Sequence, residues 1–82
     1  MFGSKKRTFK SLQTIILKTL QNEKHTPYEI AKKTSLHFNV VQNQLILLKG
    51  HDYVNLDFEH KHFKLFTITE KGLKYLSKES KK

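Results

Sequence analysis

Between Thr8 and Asn22 apolar side chains return every three or four residues, at Phe9, Leu12, Ile15, Ile16 and Leu20, with Thr19 among them. That period predicts one face of a helix. Leu17 falls off this face and has no place in an isolated chain. The polar link Asn22-Glu23-Lys24-His25 leads to Thr26-Pro27-Tyr28-Glu29. There Thr26 can cap, Pro27 suits a first helical position because it has no N–H to satisfy, and Glu29 can close a capping box. A short helix from Pro27 to about Lys33 follows, burying Ile30 and Ala31, and Thr34-Ser35-Leu36 makes a turn. A third helix runs from about Phe38 to Lys49, with Val41, Leu45 and Leu48 inward and Asn39, Gln42, Asn43 and Ile46 on the opposite side. Gly50-His51-Asp52 ends it, since Gly and Asp tolerate the positive φ of a helix stop. Two alternating runs, Tyr53 to Phe58 and Phe63 to Thr67, predict a hairpin with Glu59-His60-Lys61-His62 at its tip. Val54, Leu56 and Phe58 share one face of it. Thr69 caps a last helix that turns Leu73 and Leu76 inward and Lys74 and Lys78 outward. The order is helix, helix, helix, strand, strand, helix: a mainly α fold with a small β-hairpin.

Its 82 residues allow one domain. The pattern places that domain at 8–78, between a basic arm at 1–7 and a basic tail at 79–82. Charge then changes the picture, for 16 Lys and Arg stand against 7 Asp and Glu, a formal net charge of +9. A balance of that size on so small a body points to a polyanionic partner. The excess is uneven: residues 1–35 hold eight basic side chains against two acidic, residues 36–82 eight against five. The absence of cysteine excludes disulfides, thiolate zinc sites and a cysteine nucleophile. The longest apolar run, Leu45 to Leu48, is too short to span a bilayer, and Lys5-Lys6-Arg7 leads into an amphipathic segment, not the core of a signal peptide. A cytoplasmic location is therefore expected. His60 and His62 could point the same way from a strand, but only His51 could join them, so no metal and no cofactor are expected. Asp52, Asp57 and Glu59, with Ser35 or Ser77, lack a nucleophile elbow, a Gly-rich phosphate loop or a paired base, and no enzyme is expected.

Three phrases, in order and at matching spacing over residues 8–78, resemble the winged-helix family of transcriptional regulators. Ile30-Ala31-Lys32-Lys33-Thr34-Ser35-Leu36 looks like that family's second helix and turn. Val41-x3-Leu45-x2-Leu48-x4-Tyr53-Val54 looks like its recognition helix running into the wing. Ile68-Thr69-Glu70-Lys71-Gly72-Leu73 is similar to the phrase that follows the wing, especially in small archaeal and archaeal-virus members. There are departures. Ser35 and Asp52 stand where the family usually has glycine, and His37 replaces the usual Ser or Thr cap of the recognition helix.

The resemblance implies a sequence-specific double-stranded DNA-binding regulator, with helix 38–49 in the major groove and wing 53–68 on the backbone or minor groove. The expected location is cytoplasmic, the nucleoid or the host cell cytoplasm. The third helix carries no Arg or Lys before Lys49, so it cannot make the common Arg–guanine contact centrally. It offers Asn39, Gln42, Asn43 and Gln44, amides that can pair with adenine, with Phe38 beside them and Val40 to meet a thymine methyl. An A·T-leaning site follows. The candidate phosphate contacts are Lys5, Lys6, Arg7, Lys10, Lys32, Lys33, Lys49, His60, Lys61, His62 and Lys64, which otherwise form a solvated surface. Leu17, Ile46, Leu47 and Tyr75 are left over from the expected core, and Leu17 and Tyr75 are the candidates for a homodimer interface. Two other readings stand beside this one: a winged-helix protein-interaction module, and a non-specific architectural DNA binder.

Overall fold

Side-chain caps and three left-handed turns divide the chain into its elements. The computed structural model describes residues 9–61 and 63–80, which form α1 (Phe9–Leu20), α2 (Pro27–Thr34), α3 (Phe38–Gly50), β1 (Val54–His60), β2 (Phe63–Ile68) and α4 (Glu70–Ser80). The element order is the expected one, and the fold is mainly α with one antiparallel hairpin. Thr26 opens α2 through a complete capping box: its hydroxyl accepts from Glu29 N at 3.1 Å, and its own N–H donates to Glu29 Oε1 at 3.0 Å. Ser35, Asp52 and Lys61 adopt φ of 61°, 66° and 53°. Two of these are the places where the family usually has glycine, so the backbone keeps the turn while the residue differs. Gly50 ends α3 without a positive φ.

The core is one cluster drawn from α1, α2, α3, β1, β2 and α4. In α1 the buried positions are Gln13, Ile16, Leu17 and Leu20; in α3 they are Val41, Gln44, Leu45 and Leu48. Both sets follow the spacing i, i+3, i+4, i+7, a single helical stripe. This corrects the sequence reading of Leu17, which is 0% exposed within the single chain. The expected stripe through Ile15 was turned by one residue because glutamine occupies a position on the true one. Gln44 is likewise buried, and its Oε1 has no hydrogen-bond partner among the described residues.

On α4 the expected pair is corrected as well: Leu76 is buried but Leu73 is 40% exposed. The inward position is taken by Gly72, whose backbone lies so close to the Tyr53 carbonyl that an added Cβ would overlap it. That carbonyl accepts from Thr69 N at 3.0 Å. The Thr69 hydroxyl donates to Asp52 O at 2.6 Å and accepts from Gly72 N at 3.0 Å. Ile68 to Gly72 therefore clamps α4 onto the foot of the hairpin.

The hairpin register pairs Leu56 with Phe66 and then Phe58 with Leu65, leaving Asp57 as an extra residue in a β-bulge. The bulge changes the side of the sheet that Phe58 occupies. It shares the outer face with Leu65 and Phe63 rather than the core face of Val54 and Leu56, which corrects the expected alternation. Asp57 is fixed by an ion pair to Lys24 of 2.8 Å. On the other edge of β2, His25 exchanges both backbone hydrogen bonds with Phe66, at 3.2 and 2.9 Å, so the α1–α2 link supplies a one-residue third strand. No helix among the described residues is long and apolar enough to cross a membrane.

Candidate nucleic-acid interface

The α2–turn–α3 unit presents the outer side of α3 to solvent because Val41, Leu45 and Leu48 anchor its inner side. At its start the His37 ring caps in place of a hydroxyl, with Nδ1 accepting from Asn39 N at 3.2 Å. Phe38, Asn39, Gln42 and Asn43 are exposed. Val40 is half-buried, and Gln44 faces the core, so neither is as available as the sequence reading had it. Ile46 and Lys49 continue the exposed side, giving a row Phe38, Gln42, Ile46, Lys49 one helical turn apart at each step.

Between α3 and the wing runs an open trough. Its upper part, about 680 Å³, is lined by Thr26 to Glu29 at the start of α2, by Phe38 and Gln42, and by Glu59, Lys61, Phe63 and Lys64 of the wing. Its lower part, about 310 Å³, lies between Gln42, Asn43, Ile46 and Lys49 on one wall and Leu56, Glu59, Lys64 and Phe66 on the other. The α3 wall carries amides, single apolar side chains and Lys49, and the wing wall sets Glu59, Lys61 and Lys64 beside Leu56, Phe63 and Phe66.

Of the candidate phosphate contacts, Lys32 and Lys33 are exposed at the end of α2, beside Glu29, with the Lys32 ammonium 5.7 Å from the Tyr28 ring centre. Lys49 and Lys61 are exposed at the two ends of the trough. Lys64 lies 3.9 Å from the Glu59 carboxylate, which offsets part of its charge. His60 ends β1 and is exposed. Lys5, Lys6, Arg7 and His62 lie outside the described residues, as does the side chain of Lys10 in the first turn of α1. No group of three metal-ligating side chains comes together among the described residues.

Glu29 has its carboxyl held below the ordinary value, chiefly by the hydrogen bond from Thr26 N; desolvation opposes this, and His25, whose Nδ1 lies 3.3 Å away, and Lys33 add to the lowering. The buried His25 thus ties the first residues of α2 to the third strand. In the sequence His25 falls in a polar link. Its burial is not visible in the local pattern, because a single strand residue has no period to detect. The candidate dimer residues are both engaged within the chain. Leu17 is core, and Tyr75 stacks on Tyr53 with ring centres 4.8 Å apart.

Similar arrangements occur in solved transcriptional regulators. A mutant of MarR from E. coli complexed with operator DNA superposes with a TM-score of 0.75 at 20% identity, over 83% of this chain and 51% of that one. An apo mutant of Lactococcus lactis ZitR gives 0.77 at 21% identity, over 89% of this chain and 57% of that one. A transcriptional regulator from Clostridium thermocellum gives 0.73 at 23% identity, over 85% and 77%. The chain thus spans about half the length of the MarR and ZitR chains it resembles, and at these identities the likeness is one of fold. No curated protein matches it in sequence. The family model described as winged helix-turn-helix matches residues 6–81, nearly the whole chain, and the protein belongs to the winged helix-turn-helix family.

Proposed function

We propose that the chain is a sequence-specific double-stranded DNA-binding transcriptional regulator that lays α3 in the major groove and its wing on the backbone or minor groove. One observation carries this reading: Asn39, Gln42 and Asn43 are exposed together on α3, and an open trough beside them leads to Lys49, Lys61 and Lys64. Amides are the side chains that pair bidentately with adenine, and lysines along a groove edge meet phosphates. The MarR structure, solved on operator DNA, has the same fold and supports the reading. In this reading Lys32 and Lys33 touch a phosphate where α2 crosses the backbone, and the arm at 1–7 adds charge. A two-fold homodimer belongs to the proposal, with α4 as its seam, because Leu73 is exposed there and Tyr75 is only partly covered.

The test is selection of bound duplexes from a random pool, followed by a salt titration on the winner. With about four to six phosphates neutralised per protomer, log K falls against log[salt] at a slope of roughly −4 to −5. Equal affinity for random and selected duplexes would leave an architectural binder. A slope near zero would leave the protein-interaction reading, which the exposed Phe58 and Phe63 on the outer face of the wing favour.

A further inference from the structure

Ile46 is the most exposed large apolar side chain among the described residues, at 69%. It packs into no core, yet it is not at the margin of the molecule. It sits midway along α3, with Gln42 and Asn43 one turn before it and Lys49 one turn after, on the same wall of the trough. Phe38, 40% exposed, lies two turns before Ile46 in the same row. Its neighbours on α3 are Gln42, Asn43, Leu47 and Lys49, and Leu56 and Phe66 stand across the trough. A single open isoleucine in such a cleft falls far short of a stable protein contact, which buries about 800 Å² per partner. It does match the one apolar group that a major groove displays, the C5-methyl of thymine, which lies beside the adenine edge that amides read.

We infer that Ile46 and Phe38 read thymine methyl groups, so that the bound site carries thymines flanking the adenines met by Gln42 and Asn43. This rests on the DNA-binding reading above and adds to it a base class and two residues that fix it. Eight residues of helix separate the two apolar groups by about 12 Å, too far for both to meet one base pair. The two thymines therefore belong to different base pairs. Ile46 takes the part that Val40 held in the sequence reading, because Val40 is half-buried and Ile46 is not.

Deoxyuridine in place of thymidine removes the methyl and nothing else. On the selected duplex, each thymine is replaced in turn and the affinity of the full chain is measured by fluorescence anisotropy at constant salt. Replacement at either of the two read positions lowers affinity about fourfold, the worth of one buried methyl. Ile46→Ala lowers affinity for the thymine duplex to a similar degree and abolishes the effect of deoxyuridine at one of the two only. Phe38→Ala does the same at the other. Lys33→Ala weakens both duplexes alike and leaves their ratio unchanged. Selected binding that is indifferent to every deoxyuridine overturns the inference while leaving the DNA-binding reading intact. So does an Ile46→Ala chain that keeps the full thymine preference, or one whose main change is a loss of self-association. Failure to bind any duplex overturns both.

Discussion

Gly72 is held against the backbone of Tyr53, and a Cβ there would also stand 2.8 Å from Ile68 Cγ1. The carbonyl it would strike is already fixed by the N–H of Thr69, so it cannot turn aside. Gly72→Ala is expected to destabilise the chain by about 1–3 kcal/mol, the range for overpacking a filled site. Gly50 has nothing within 4 Å and no positive φ, so Gly50→Ala is expected to stabilise by about 0.4–1 kcal/mol. Urea denaturation of both variants checks the pair, and equal effects would mean that the contact at Gly72 is relaxed in solution. The same residue explains one misreading of the sequence. A glycine carries no apolar signal, so the buried row of α4 was assigned to Leu73 instead. Gln13 and Gln44 hid the rows of α1 and α3 in a related way, since a polar residue at a buried position turns the apparent stripe. For α3 the inner row stays legible, because Val41, Leu45 and Leu48 outvote one glutamine, but Gln44 itself is misplaced among the exposed amides. In α1 it displaced Leu17 from the core to the surface.

Elements were more legible than single residues where a local chemical signal sets their ends. The capping box of α2 was readable from Thr26, Pro27 and Glu29 alone, and the hydrogen bonds form as that pattern requires. The box also links stability to pH. The Glu29 carboxyl is held below its ordinary value, so its contribution is complete above about 4.5 and is lost as pH falls through the lowered value. Thr26→Ala is expected to cost about 0.5–2 kcal/mol. Glu29→Gln should flatten the acid limb of a stability–pH curve near and below 4.5, and an unchanged limb would assign acid sensitivity to other carboxylates. The hairpin was legible in position but not in facing. One inserted residue, Asp57, reverses the sides after it, and neither alternation nor composition marks a bulge whose anchor, Lys24, lies far back in the chain. For α3 the exposed side was legible, and its use can be tested by element-wide substitution. Asn39→Ala, Gln42→Ala and Asn43→Ala are each expected to cost about 1–3 kcal/mol on the selected duplex and much less on random DNA. Titration of both duplexes decides it, since equal losses would make these side chains a solvated surface and move specificity to DNA shape.

At the scale of the whole molecule the charge is fully legible in the sequence, and the place of the leftover apolar residues is not. Leu17, a leftover apolar residue in the sequence pattern, has a place in the fold: it lies in the cluster with Ile16, Leu20, Ile30 and Leu45. Leu17→Lys would put an ammonium into that cluster and unfold the chain, so it cannot report on association. Tyr75 is stacked on Tyr53 and serves the foot of the wing. What remains on α4 is Leu73, exposed beside a helix whose inner side is held by Gly72 and Leu76. If two chains pair there about a two-fold axis, their α3 helices come to lie about one DNA turn apart, and the selected site reads as two half-sites spaced by roughly 10–10.5 base pairs. The expected sedimentation at micromolar concentration is that of a species twice the 9.7 kDa chain mass. Leu73→Lys, at an exposed position, should return it to one chain without loss of helical signal, and should weaken binding to the full site far more than to an isolated half-site. A wild-type chain that sediments at the single-chain mass, on a selected site with no repeat, would remove the dimer and leave one α3 helix to supply all of the specificity.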